Sequence, residues 1–158
     1  MERNETHRTE ICSSENSIQM KHDDRLVVLD TNCLLQVISK RSPYRPIWNA
    51  FLQRDFCLCV SNEILEEYQE IIEEQTLPSI AENIVMLLVN AENVKFVNPQ
   101  YRFGLIEKDV DDNKFVDCAI VCSADFIVSD DTHFDVLRDI PFPKVRVRKL
   151  DDFLQDFI

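Results

Sequence analysis

The sequence has 158 residues, 45% of them hydrophobic, enough for one domain that buries roughly two-thirds of its unfolded surface. Its single glycine, Gly104, rules out a phosphate-cradling Walker loop and a GxGxxG dinucleotide turn, and three scattered histidines, His7, His22 and His133, give little basis for a His-based triad or a His-rich metal site. The formal charge of -12, from 29 acidic against 17 basic residues, argues against broad phosphate binding and leaves carboxylates as the chemistry the chain carries. Local basic groups remain at Lys40, Arg41, Arg45 and from Lys144 to Lys149.

Residues 1–24 are polar, mixed in charge and without hydrophobic periodicity, so they read as a disordered leader. They contain no apolar signal-peptide core, and nowhere is there an apolar run of the roughly 20 residues that span a bilayer, so a cytoplasmic, membrane-free protein is expected. The domain is assigned to 25–158. Residues 25–29 are a short apolar run ending in Asp30, as in a strand buried on both faces of a parallel sheet. Residues 31–40 continue helically, and Pro46 opens a second helix through Leu52. A second strand is predicted over 56–60. Ser61 is a good N-cap, and Ile64, Leu65, Tyr68, Ile71 and Ile72 follow at helical spacing, which predicts a helix over 62–75.

Another helix is predicted from Pro78 to Asn90; its Ile84, Leu87 and Leu88 form an apolar face beyond what the core needs, on the helical hairpin 62–90 through which a homodimer would form. Strand three covers 94–97, a loop 98–109, a helix 111 or 112 to 122, strand four 126–128, strand five 145–147, and a closing helix 150–158. Strands alternating with helices imply a parallel sheet with helices on both faces. Cys33, Cys57, Cys59, Cys118 and Cys122 all sit in apolar runs, as buried thiols do in a reducing compartment; Cys57 and Cys59 have the spacing of alternate strand residues, and a zinc site is not expected.

In such a sheet, ligands bind beyond the carboxyl ends of the strands, where the strand order reverses. Asp30 follows the first strand and Asp131 follows the fourth by two residues, although either would serve as a helix N-cap. On the 62–75 helix Glu67 lies closer to the buried face than its acidic neighbours do. Asp112 is placed by helical phasing with Phe115, Val116 and Ala119 in the apolar stripe, while Asp117 is placed on the opposite side. A carboxylate in a core stripe is costly unless it is paired or holds a cation. Four acids with no histidine or thiol among them suit a hard cation, Mg2+ or Mn2+, and metal-assisted phosphodiester hydrolysis. Thr31, Asn32, Asn113, Ser129 and Asp130 are the candidates for supporting these acids.

The runs Val-Leu-Asp30-Thr-Asn32, Glu67-Tyr-Gln-Glu-Ile-Ile72, Asp109-Val-Asp-Asp112-Asn-Lys-Phe115 and Ala124-Asp-Phe-Ile-Val-Ser129-Asp-Asp131-Thr-His-Phe134 stand in that order. The pattern resembles PIN domains, in particular the toxins of bacterial toxin–antitoxin systems related to VapC, over residues 25 to about 150. The resemblance implies a three-layer α/β/α sandwich with a five-stranded parallel sheet, Mg2+- or Mn2+-dependent RNA cleavage, and silencing by an antitoxin protein. It carries the family's acids onto Asp30, Glu67, Asp112 and Asp131. Where the family commonly has Thr-Gly-Asp, this chain has Ser129, Asp130 and Asp131, so an extra carboxylate replaces a glycine; Asp131 keeps the spacing to Phe134 and is preferred over Asp130.

Two other classes compete. An aspartyl-phosphate protein also places an Asp after strand one, but a dehalogenase-type phosphatase needs a second Asp where Asn32 stands, and a receiver domain needs acids and a late lysine that the chain does not supply convincingly. A catalytically weak or inactive PIN-like module that binds a basic partner protein is favoured by the acidic charge and disfavoured by the complete acid set.

Overall fold

The computed structural model describes residues 25–158; the expected polar leader lies outside the described residues. Its sheet is built from β1 (Leu26–Leu29), β2 (Cys57–Val60), β3 (Val94–Phe96), β4 (Phe126–Val128) and β5 (Val147–Arg148), all parallel, in the order β3-β2-β1-β4-β5. The central strands are apolar along their length because both faces are covered. Consecutive residues Val27, Val28 and Leu29 are buried, as are Ile127 and Val128 beside them. The sheet is thus the middle of three layers.

The helices are α1 (Thr31–Ile38), α2 (Arg45–Leu52), α3 (Asn62–Gln75), α4 (Pro78–Asn90), α5 (Asn113–Cys122) and α6 (Leu150–Leu154). α5 packs on β1, β2 and β4, and α2 packs with α6. Trp48, Phe51, Phe56, Phe153 and Phe126 make successive ring contacts at 5.2 to 5.9 Å, which ties α2 and α6 to the sheet. On α3 the buried face is Ile64, Leu65, Tyr68 and Ile72, as its periodicity predicts. Tyr68 donates from its hydroxyl to the Leu29 carbonyl at 2.5 Å, pinning the helix to the end of β1.

Several boundaries differ from the sequence expectation. α1 stops at Ile38, α6 at Leu154, and β5 lies at Val147–Arg148 instead of 145–147. Residues Val110–Asp112 form a 3-10 turn ahead of α5, and Thr132–Asp139 form a longer 3-10 segment that the sequence pattern did not show. In the preceding loop Gly104 sits at φ 63°, in the left-handed region that a glycine enters without cost. The apolar surface of α4 also differs: Leu88 is buried and Ile84 half-buried, and the exposed residues are Leu77, just before the helix, with Ile80, Met86, Leu87 and Val89. Among the described residues no helix is long and apolar enough to cross a membrane.

Candidate functional site

The chain lays β2 and β3 to one side of β1 and β4 and β5 to the other, so the strand order reverses between β1 and β4. At the carboxyl ends of those two strands a cleft of about 220 Å³ is lined by Asp30, Asn32, Glu67, Asp109, Asp112 and Asp131. The four sequence-predicted acids converge there.

Asp30 caps α1: its Oδ1 accepts the Cys33 N–H at 2.8 Å, and Oδ2 accepts the Ser129 hydroxyl across from β4. Burial pushes its carboxyl above the ordinary range, and the hydrogen bonds from Ser129 and Cys33 pull the other way. The capping reading and the site reading of Asp30 are therefore both satisfied, since each carboxylate oxygen keeps a second lone pair. Glu67, carried inward by the Tyr68 anchor, accepts the Thr31 hydroxyl at Oε2 and Lys114 Nζ at Oε1, the latter at 2.8 Å. Lys114 itself was not anticipated.

Asp112 sits in the 3-10 turn, half-buried at the mouth of the cleft, not inside the core stripe. Burial, with Asp109 and Asp131 close by, pushes its carboxyl up to about 6, opposed by His133. Asp131 caps the following 3-10 segment through Oδ1 and the His133 N–H at 2.9 Å, which leaves Oδ2 for the cleft. Asp130 turns away: its Oδ1 accepts the Leu150 N–H at 2.9 Å and holds the start of α6. Of the two neighbouring aspartates, Asp131 lines the cleft.

His133 reverses an expectation. Its Nδ1 lies 3.3 Å from Asp131, 3.4 Å from Asp112 and 3.6 Å from Asp109. Ligand atoms of Asp109, Asp112 and His133 all fall within 4.8 Å of one another, and Asp112 Oδ2 and His133 Nδ1 are buried with no hydrogen-bond partner. Buried polar atoms are normally paired, so two orphans facing each other among three carboxylates are what a cation-binding donor set looks like. The residues fit a divalent metal. His133 was passed over because a 3-10 segment carries no periodicity to follow; its spacing two residues after Asp131 was the available signal.

Of the supporting candidates, Thr31 and Ser129 hold Glu67 and Asp30, and Asn32 lines the cleft. Asn113 does not face it. Its side chain is buried, bonding the Ile106 N–H and carbonyl at 2.9 and 2.8 Å, and so fastens the 98–109 loop to α5. Asp117 corrects the helical phasing: it is buried, not outward, and its Oδ1 accepts the Phe103 N–H at 3.2 Å. The basic groups are also more engaged than expected. Arg148 lies over the Phe126 ring and pairs with Asp152 and Asp156 at 2.7 and 2.8 Å, Arg45 donates to the Ile38 carbonyl, and Lys144 to that of Arg138.

A carboxylate-lined cleft at the switch point of a doubly covered parallel sheet defines the class of α/β protein present here. A family model described as PIN domain matches residues 26–133, and the chain belongs to that family. Among solved structures it is similar to VapBC2 from Rickettsia felis bound to a DNA fragment from the promoter, with a TM-score of 0.55 at 13% identity over 78% of this chain and 98% of that one. VapBC-1 from nontypeable Haemophilus influenzae gives 0.55 at 15%, and DNA-bound VapBC from Salmonella typhimurium 0.53 at 16%, each over 80% of this chain and 98% of the other. At such identities the likeness concerns the fold. No curated protein sequence matches.

Proposed function

We propose that the protein is a Mg2+- or Mn2+-dependent endoribonuclease whose cleft is formed by Asp30, Glu67, Asp112 and Asp131, with Asp109 and His133 completing the donor set. The observation that carries this reading is the pair of buried, unpartnered atoms, Asp112 Oδ2 and His133 Nδ1, among the acids of the cleft. Membership of the PIN family supports the nuclease class.

A divalent ion held there would supply an activated water and charge stabilisation for the oxygen displaced from a phosphodiester. The chain's own part is positioning. Ser129 and the Cys33 N–H fix the Asp30 carboxylate, and Thr31 and Lys114 fix Glu67, so each acid keeps a defined orientation before substrate arrives. Lys114 also offsets the negative charge on the α3 side of the cleft, where like charges would otherwise oppose an incoming phosphate. His133 adds a nitrogen donor, which favours Mn2+ over Mg2+ in the ordinary affinity order.

The three VapBC structures support reading the chain as the toxin of a toxin–antitoxin pair, with an antitoxin protein as partner and the cytoplasm as its place of action. Calorimetric titration with Mn2+ at neutral pH, followed by cleavage assays on RNA, tests the central point: one or more sites lost in Asp112→Asn support it, and no binding by the wild type sinks it. A second reading, a partner-binding module without turnover, is favoured by the exposed apolar residues along α4. It predicts neither metal binding nor cleavage.

A further inference from the structure

We propose that the hollow between the first turn of α3, the 98–103 loop and α5 is a subsite for single-stranded RNA, adjoining the acid cleft and sharing Lys114 with it; this rests on the nuclease reading above. The hollow has a volume of about 180 Å³ and is framed by Asn62, Asn98, Arg102, Lys114 and Asp117. It lies below the roughly 300–1,000 Å³ of a typical small-molecule site, which suits one planar ring and not a duplex.

Its charges step away from the cleft in register with α3. Lys114 Nζ meets Glu67 Oε1 at 2.8 Å, and one helical turn earlier Arg102 Nη2 meets Glu63 Oε1 at 2.9 Å. Four residues of helix advance about 6 Å, on the order of one nucleotide step along an extended strand. The Arg102 side chain is 80% exposed and that of Glu63 52%, so their pair is held weakly and the guanidinium is available to take a phosphate by two parallel N–H donors. Asn62 and Asn98 line the hollow, and their side-chain amides can address base edges.

Beside Arg102 stands Tyr101, 67% exposed, its ring braced edge-on against Phe103 at 4.8 Å. An exposed aromatic next to a cation is the recurring platform on which single-stranded bases stack. Asp117 is a positioning residue here: buried beneath the loop, it holds the Phe103 N–H and so sets where Tyr101 and Arg102 project. With Arg148, Arg45 and Lys144 engaged elsewhere, this loop supplies a cation beside the acids of a chain carrying a charge of -12.

The probe is a fluorescein-labelled single-stranded RNA of about 12 nucleotides, within the range of site sizes single-strand binders cover. Its affinity is read by anisotropy in EDTA and as KM for cleavage in Mn2+. Arg102→Ala should weaken affinity about tenfold and reduce the slope of log K against log salt by about 1, and Tyr101→Ala should weaken it about tenfold with the slope unchanged. Arg54→Ala, which removes the exposed Arg54–Glu92 pair, should leave affinity alone. Affinities of both loop variants equal to the wild type, with cleavage intact, overturn the subsite but leave the nuclease standing. A wild type that neither binds Mn2+ nor cuts the RNA overturns both.

Discussion

Two charged regions of this molecule are built on opposite terms. Around α6, Arg25 and Arg148 meet Asp152 and Asp156 at 2.7 to 2.8 Å and lie over the rings of Phe126, Phe153 and Phe157. Each group finds its opposite: Arg148 is pushed further up by Asp156 and Asp152, and Asp156 is held below the carboxylate range by Arg148 and Arg25. In the cleft between β1 and β4, acids face acids, Asp30 and Asp112 are pushed upward, and two polar atoms stay unpaired. The first region stabilises the fold. The second crowds like charges at a cost in stability, the arrangement on which the proposed metal site rests.

The largest expected effect of breaking this contrast is on turnover. Asp112→Asn should lower the cleavage rate by about 100-fold or more while the fold persists, because it removes a ligand oxygen and a charge its neighbours repel; single-turnover assays beside circular dichroism check both halves. Arg148→Ala should do the reverse, costing on the order of 1–2 kcal/mol through lost ring contacts and ion pairs with catalysis unchanged, readable from denaturant midpoints.

A smaller effect separates the regions by pH. Asp112 binds its proton more tightly when folded, at about 6 against an ordinary 3.8, so metal-free stability falls as pH rises from about 4 through 6. Asp156 has the opposite sign: its stabilisation is present above the ordinary carboxylate range and is lost as pH falls below it. Thermal melts in EDTA should therefore show Asp112→Asn more stable than wild type at pH 8 and nearly equal at pH 4. Mn2+ should also bind more weakly as pH falls through about 6, where the proton competes for Asp112. The smallest change is expected from Asp117→Asn, which keeps an acceptor for the Phe103 N–H and should shift stability by less than about 0.5 kcal/mol.

Asp30 and Asp131 were legible because each follows a buried apolar strand, and the parallel topology brings those strand ends together whatever the exact boundaries. Glu67 followed from the phase of a long helix. Asp112 was misplaced because it lies in a 3-10 turn, about 120° per residue instead of 100°, so the apolar stripe of α5 could not be extrapolated back through it. Asp117 is buried by the 98–109 loop, a tertiary contact with no sequence period. The same lack of period hid His133, and it hid Tyr101 and Arg102, whose meaning comes only from lying against α3 and α5.

Asp30 holds the first turn of α1 and the Ser129 hydroxyl of the neighbouring strand end, whereas among the described residues the hydrogen bonds of the Glu67 carboxylate run to two side chains, Thr31 and Lys114. The two acids should therefore diverge differently in descendants relieved of chemistry. Architecture alone would keep Asp, Asn or Ser at position 30, since each can cap the helix. Position 67 would be free to drift, so a substituted Glu67 beside a preserved Asp30 would mark a lineage that kept the scaffold after abandoning the reaction.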